Sequence, residues 1–126
     1  MSNEIVITIE LPPVTKKNSQ RIVVVRGRPM VIPSAKYKDY EKACSLYVHK
    51  RIDPIDIPVN VKCEYYMPTH RRVDLVNLLE STMDILVKYG VLADDNSNIV
   101  VGHDGSKVEY DKERPRTIIT ISPVER

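Results

Sequence analysis

Residues 70–98 read "HRRVDLVNLLESTMDILVKYGVLADDNSN". Between Leu75 and Tyr89 apolar residues recur at helical spacing, Asp74 is a good N-cap, and Gly90 can take the left-handed conformation that ends helices. On a wheel at about 100° per residue, Asp74, Asn77, Glu80, Ser81, Asp84 and Lys88 fall inside an arc of roughly 120°. The rest of the wheel, Val76 included, is almost wholly apolar. A helix so broadly hydrophobic is expected to be buried on most of its circumference, between a sheet and a second subunit. Its polar strip must then face water or a site.

Working outward, "EIVITIELP" alternates Ile5, Ile7 and Ile9 with mostly polar positions and is stopped by Pro12 and Pro13, the pattern of a half-buried strand. "RIVVV", "RGRP" and "MVIP" predict two strands around a glycine turn. Ser34 caps a helix over "AKYKDYEKACSLYVHKRI", with Tyr37, Tyr40, Cys44, Tyr47 and Val48 on one face. "IPVNVKCEYYMP" is a fourth strand, and "NIVVGHDGSKVEYD" and "RTIITISPV" supply two more after the quoted helix. Three strands, helix, strand, helix and two strands specify an α+β fold: one domain over residues 1–126, a mixed sheet, and two main helices packed on it.

A chain of 126 residues suits one domain with a modest core. Cys44 and Cys63 have no metal-ligand spacing and are expected as buried thiols in a reducing compartment. "MSNEIVITIE" lacks a basic region ahead of an apolar run and no 18-residue apolar stretch occurs, so neither a signal peptide nor a membrane span is expected, and the expected location is the cytoplasm. Residues 1–72 hold thirteen Lys and Arg against seven Asp and Glu, a charge of +6; residues 73–126 hold six against ten, a charge of −4. Such asymmetry suggests a basic surface for a polyanion beside an acidic site suited to cations, although two ordinary solvated faces would look alike.

The chemistry concentrates around the quoted helix. Asp74 and Asn77 share a face, Arg71 and Arg72 precede them, and Asp94 and Asp95 close the following loop. Carboxylates and an amide oxygen are ligands for a hard cation such as Mg²⁺, and neighbouring arginines suit the phosphate it polarises. A plain solvated face with Asp74 as a cap is the structural alternative. Leu75 to Tyr89 spans about 22 Å, whereas Gly90 to Asp95 retraces at most about 17 Å. Asp95 therefore approaches Asp74 only if "VLADD" runs straight back along the helix; the alternative is a carboxylate supplied by a partner chain. "DDNSN" is not a calcium loop, because Ile99 and Gly105 stand where a glycine and a bidentate glutamate are required. The (Asp or Glu)-x-Lys pairing of one large nuclease superfamily is absent.

"RRVDLVNLLESTMDILVKYGVLADD" resembles the signature of the RusA family of Holliday junction resolvases, small endonucleases often carried by phages and prophages. "TKKNS", "GRP" and the helix from Ser34 extend the likeness over most of the chain. The resemblance implies catalytic roles for Asp74 and Asp95, with Asp94 beside the latter, and metal ligation by Asp74, Asp95 and Asn77. It implies Mg²⁺, with Mn²⁺ as a substitute, and DNA contacts from Lys16, Lys17, Arg26, Arg28, Arg71 and Arg72. It further implies a homodimer that nicks opposing strands of a four-way junction symmetrically, in recombination and repair of nucleoid DNA. Two positions depart from the family's Asp-Leu-Asp-Asn-Leu run and its following lysine: Val76 replaces the second aspartate and Glu80 the lysine. Glu80 lies on the polar strip and restores a carboxylate. Two further readings stay open: a junction-binding protein that has lost its chemistry, and a phage structural or regulatory dimer.

Overall fold

The computed structural model describes residues 3–16 and 20–125. β1 (Ile5–Ile9), β2 (Gln20–Val25) and β3 (Arg28–Pro33) lead into α1 (Ala35–Ala43) and a 3₁₀ turn over Cys44–Leu46; then come β4 (Val59–Met67), α2 (Leu75–Lys88), β5 (Val100–Gly102), β6 (Lys107–Tyr110) and β7 (Arg116–Pro123). The α+β architecture and the mixed sheet agree with the sequence reading. β1 pairs antiparallel with β7, β7 antiparallel with β4, and β4 parallel with both β5 and β6.

β4 is the central strand. Val59, Val61, Cys63 and Tyr65 alternate inward and are buried, opposite Ile121 and Ile119 of β7. This period-two burial puts one face of the sheet under the helices. Leu78, Ile85 and Leu86 of α2 join Tyr37 and Tyr40 of α1 in the same core. The Tyr65 hydroxyl, carried into this layer, pairs with the Thr82 hydroxyl at 2.6 Å, and Thr82 also donates to the Leu78 carbonyl. Both buried polar groups are thus satisfied. Cys44 and Cys63 are buried free thiols, as expected.

Three differences from the sequence reading have local causes. β5 and β6 are separate strands, because a turn closed by the Ser106 N–H on the His103 carbonyl, with Gly105 at φ 87°, interrupts the expected single strand. β2 and β3 form a sheet of their own instead of joining the main one; Arg26 and Gly27 at φ 53° and 75° make the two-residue turn with positive φ at both positions that suits a tight hairpin. α1 ends near Ala43, where the chain tightens into the 3₁₀ turn, well short of Ile52. Among the described residues no helix is long and apolar enough to cross a membrane.

Candidate active site

α2 connects parallel strands β4 and β5, so it must run back along the sheet from the Met67 end to the Val59 end. Asp74 begins this return. Its Oδ1 accepts the Val76 N–H at 3.0 Å, capping the helix, a contact worth about 1 kcal/mol. The residue stays exposed, and three adjoining hollows of about 500, 330 and 330 Å³ surround the segment from Met67 to Leu75 that leads into it. Arg71 and Arg72 line these hollows, and Lys36 reaches the same rim from α1. Asp74 shares one hollow with Arg72, and Arg71 and Lys36 line the adjoining ones, an arrangement suited to a phosphate-bearing strand.

The other end of α2 presents Asp95. Gly90, at φ 77°, reverses the chain, and the Val91 and Leu92 N–H groups both bond to the Leu86 carbonyl. The reversal expected at Gly90 is present, and the segment after it runs parallel to the stretch leading into β4. Leu92 forms a parallel bridge with Ile55, locked by Ile55 N–H to Val91 O at 2.8 Å and Ala93 N–H to Ile55 O at 2.9 Å. From there the chain turns into β5, the Val100 N–H bonding to the Asn96 carbonyl. Asp74 thus caps a 14-residue helix about 21 Å long, and Asp95, beyond the turn that ends it, lies in the electrostatic neighbourhood of Asp84. Among the described residues, no three His, Cys, Asp or Glu side chains come together as a metal-binding group.

Asp94 and Asp95 differ in their commitments. Asp94 Oδ1 accepts the Asp95 N–H and Oδ2 the Asn96 amide, and these bonds, the backbone one foremost, hold its carboxyl below the usual carboxylate range. Asp94 shapes the turn, while the exposed Asp95 carboxylate has no ion pair among the described residues.

Asp84 shares an electrostatic neighbourhood with Asp95 and Glu80, and the sequence reading gave it no role. Partial burial pushes its carboxyl up; Lys16 opposes that, and Asp95, Glu80 and Glu41 add to it. Lys16 Nζ is 3.8 Å from Asp84, and the Lys16 N–H donates to Ser81 Oγ at 2.8 Å. The loop carrying Lys16 is thereby fastened to α2, and part of its charge faces an acid. The signal available in sequence was the Glu80, Asp84 spacing of one helical turn.

The strip expected to face water is therefore split. Ser81 and Asn77, at 3% and 9% exposure, are buried, with Ser81 donating to the Asn77 carbonyl. The Lys16 loop covers this edge. Val76, expected within the buried arc, is 67% exposed. The core lies under the Leu78, Thr82 and Ile85 side of α2, and none of the described residues covers Val76. Val76→Asp is accordingly expected to change the folding stability of the isolated chain by no more than about 0.5 kcal/mol, read by urea denaturation at low protein concentration. A loss of 2 kcal/mol or more, the order for burying an unpaired polar group, would restore the buried assignment.

Arg26 is the first residue of the hairpin turn and Arg28 opens β3; both are exposed, on a sheet separate from the main one. Lys17 lies outside the described residues.

Residues 10–122 match the family described as Endodeoxyribonuclease RusA. The chain is also 37% identical over 71 residues to the crossover junction endodeoxyribonuclease RusA of Aquifex aeolicus (strain VF5). That alignment takes in 56% of this chain and 54% of the relative, so it spans about half the relative's length.

Proposed function

This chain belongs to the endodeoxyribonuclease RusA family, and from that premise we propose that it is a divalent-cation-dependent endonuclease that resolves four-way DNA junctions as a homodimer in the cytoplasm. The observation that carries the reading is an exposed Asp74 at a helix N-terminus, beside hollows lined by Arg71, Arg72 and Lys36, with a second exposed carboxylate, Asp95, beyond the turn that ends the same helix.

Two carboxylates suit Mg²⁺, which usually keeps several waters and takes one or two protein oxygens together with substrate phosphate. Among the described residues no third carboxylate or imidazole joins them in a metal-binding group within one chain. A two-fold partner lying antiparallel along α2 would bring Asp74 of one chain toward Asp95 of the other and cover Val76 in the same contact. Asp74 and Asp95 of different chains would hold the cation, Mg²⁺ or Mn²⁺, with Glu80 as a further oxygen donor nearby, whereas Asn77 is too buried to reach it. Bound there, the cation supplies an activated water and stabilises charge on the phosphate. Arg71 and Arg72 hold and orient the strand. Asp74 retains its bond to the Val76 N–H, which fixes one oxygen and directs the other outward. Asp94 keeps the turn that presents Asp95.

The deciding experiment incubates the pure chain with an end-labelled four-way junction, with and without Mg²⁺. Paired symmetric nicks that require the cation support the reading. Junction binding without nicks in Mg²⁺ or Mn²⁺ would favour a binding protein instead, and neither binding nor nicking would reject both.

The basic rim yields a quantitative expectation. Arg71→Gln with Arg72→Gln should weaken binding to branched and linear DNA alike and lower the log-log salt slope by about two, near one per lost phosphate contact. Lys16→Gln should lower it by less than about one, since that ammonium already faces Asp84. Fluorescence anisotropy over a salt series measures both, and an unchanged slope in the double variant would move the DNA surface elsewhere.

A further inference from the structure

Next to the arginine rim the structure has a feature that phosphate binding does not require. The His70 ring stacks on the Tyr110 ring, centroids 3.8 Å apart and planes inclined by 24°. His70 belongs to the loop before Asp74, and Tyr110 ends β6. Both rings remain exposed, Tyr110 at 42%. They border a hollow of about 330 Å³ whose apolar lining is Met67, Val73 and Val108, with Thr69, Arg71 and Glu109 as its polar lining, the Glu109 carboxylate paired with Lys107 at 3.4 Å. All four residues of β6 are exposed. A stack serving only as a clasp between loop and strand would be expected to bury its rings.

We propose that this hollow takes a nucleobase unstacked at the branch point, held against the His70–Tyr110 stack while its phosphates lie on Arg71 and Arg72. The inference rests on the junction-resolving reading above. Every base offers a π face, and aromatic side chains bind bases by stacking with little dependence on sequence. The hollow's volume is at the small end of ligand pockets, as one flat ring system requires. Positive charge on one side and rings on the other match the two faces of a nucleotide, phosphate and base. Bases beside a branch are cheaper to extrude than those within a duplex, since extrusion costs least where pairing or stacking is already interrupted. His70 precedes Asp74 by four residues, at most about 14 Å of extended chain. A base held here therefore belongs to a nucleotide close to the phosphate presented to Asp74. The platform would thus set which position near the branch is cut.

The test places 2-aminopurine, one position at a time, on each strand around the branch of a four-way junction and follows its emission as the full-length chain binds without added metal. The expected result is an emission change confined to one position, retained in Tyr110→Phe and lost in Tyr110→Leu, which keeps apolar bulk beside His70 but has no π face. Junction affinity in Tyr110→Leu should fall by roughly tenfold, the scale of one stacked base, with an unchanged melting temperature. In Mg²⁺ the same variant should spread its cuts over several positions, whereas a purely structural clasp would lower the rate and leave the positions fixed. An emission change that persists in Tyr110→Leu, or wild-type binding with no emission change at any position, overturns this inference alone. Failure of the wild-type chain to bind the junction overturns the resolvase reading and this one with it.

Discussion

Mixing Asp74→Asn with Asp95→Asn chains is expected to restore nicking that neither variant shows alone. In the proposed homodimer each substitution would remove one carboxylate from both sites, and catalysis should fall by orders of magnitude while binding persists. Asparagine also caps helices well, so the bond to the Val76 N–H survives in Asp74→Asn and a lost activity is not a lost fold. If Asp74 and Asp95 of different chains make up one site, a mixed dimer has one site lacking both carboxylates and one site intact. Equal mixing after exchange of subunits then returns roughly a quarter of wild-type nicking, half the dimers being mixed and each of these having one working site of two. The products should be single nicks instead of paired ones. A site built within one chain makes the opposite prediction, since every site in every dimer would lack a carboxylate and the mixture would stay inactive. Denaturing gels of a labelled junction separate the two outcomes.

Leu86→Ala is expected to lower folding stability by about 3 kcal/mol, within the range found for emptying a fully buried leucine site. Leu86 is 0% exposed in the core between α2 and the sheet, and its carbonyl accepts from both Val91 and Leu92. The cavity would thus form beneath the turn that leads to Asp95. For a domain of this size the melting temperature should fall by roughly 10 °C. Denaturation at several protein concentrations separates this loss from any change in dimer affinity. Junction binding at low temperature, where the chain is still folded, should remain, because the arginine rim lies at the other end of α2. A loss under 1 kcal/mol would mean that the core closes over the gap.

Much of the fold was legible because its signals are local. Val59 to Tyr65 alternate, Ser34 and Asp74 do cap their helices, and Gly90 does end α2 in the left-handed conformation. The Arg26–Gly27 turn was readable as a hairpin for the same reason. Asp74, Arg71 and Arg72 were readable as a group because they are neighbours in the chain. The burial of α2 was not legible to the same degree. A wheel sorts residues by polarity, yet Ser81 and Asn77 are buried and Val76 is exposed. Ser81 tolerates burial because its hydroxyl accepts the Lys16 N–H and donates to the Asn77 carbonyl, and the first of these partners is 65 residues away.

By itself, then, the sequence determined the elements, their caps and turns, and the residue types available for phosphate and cation chemistry. Those depend on backbone preferences and on periodicities of two and 3.6 residues, which act over a few positions. Only the tertiary structure decided where the two ends of the motif stand. The bridge between Ile55 and Leu92 and the parallel pairing of β4 with β5 bind the chain after Gly90 to the sheet. Those pairings join segments some 37 to 42 residues apart. They are selected by the closing of one shared core, and no local pattern in residues 70–98 encodes them.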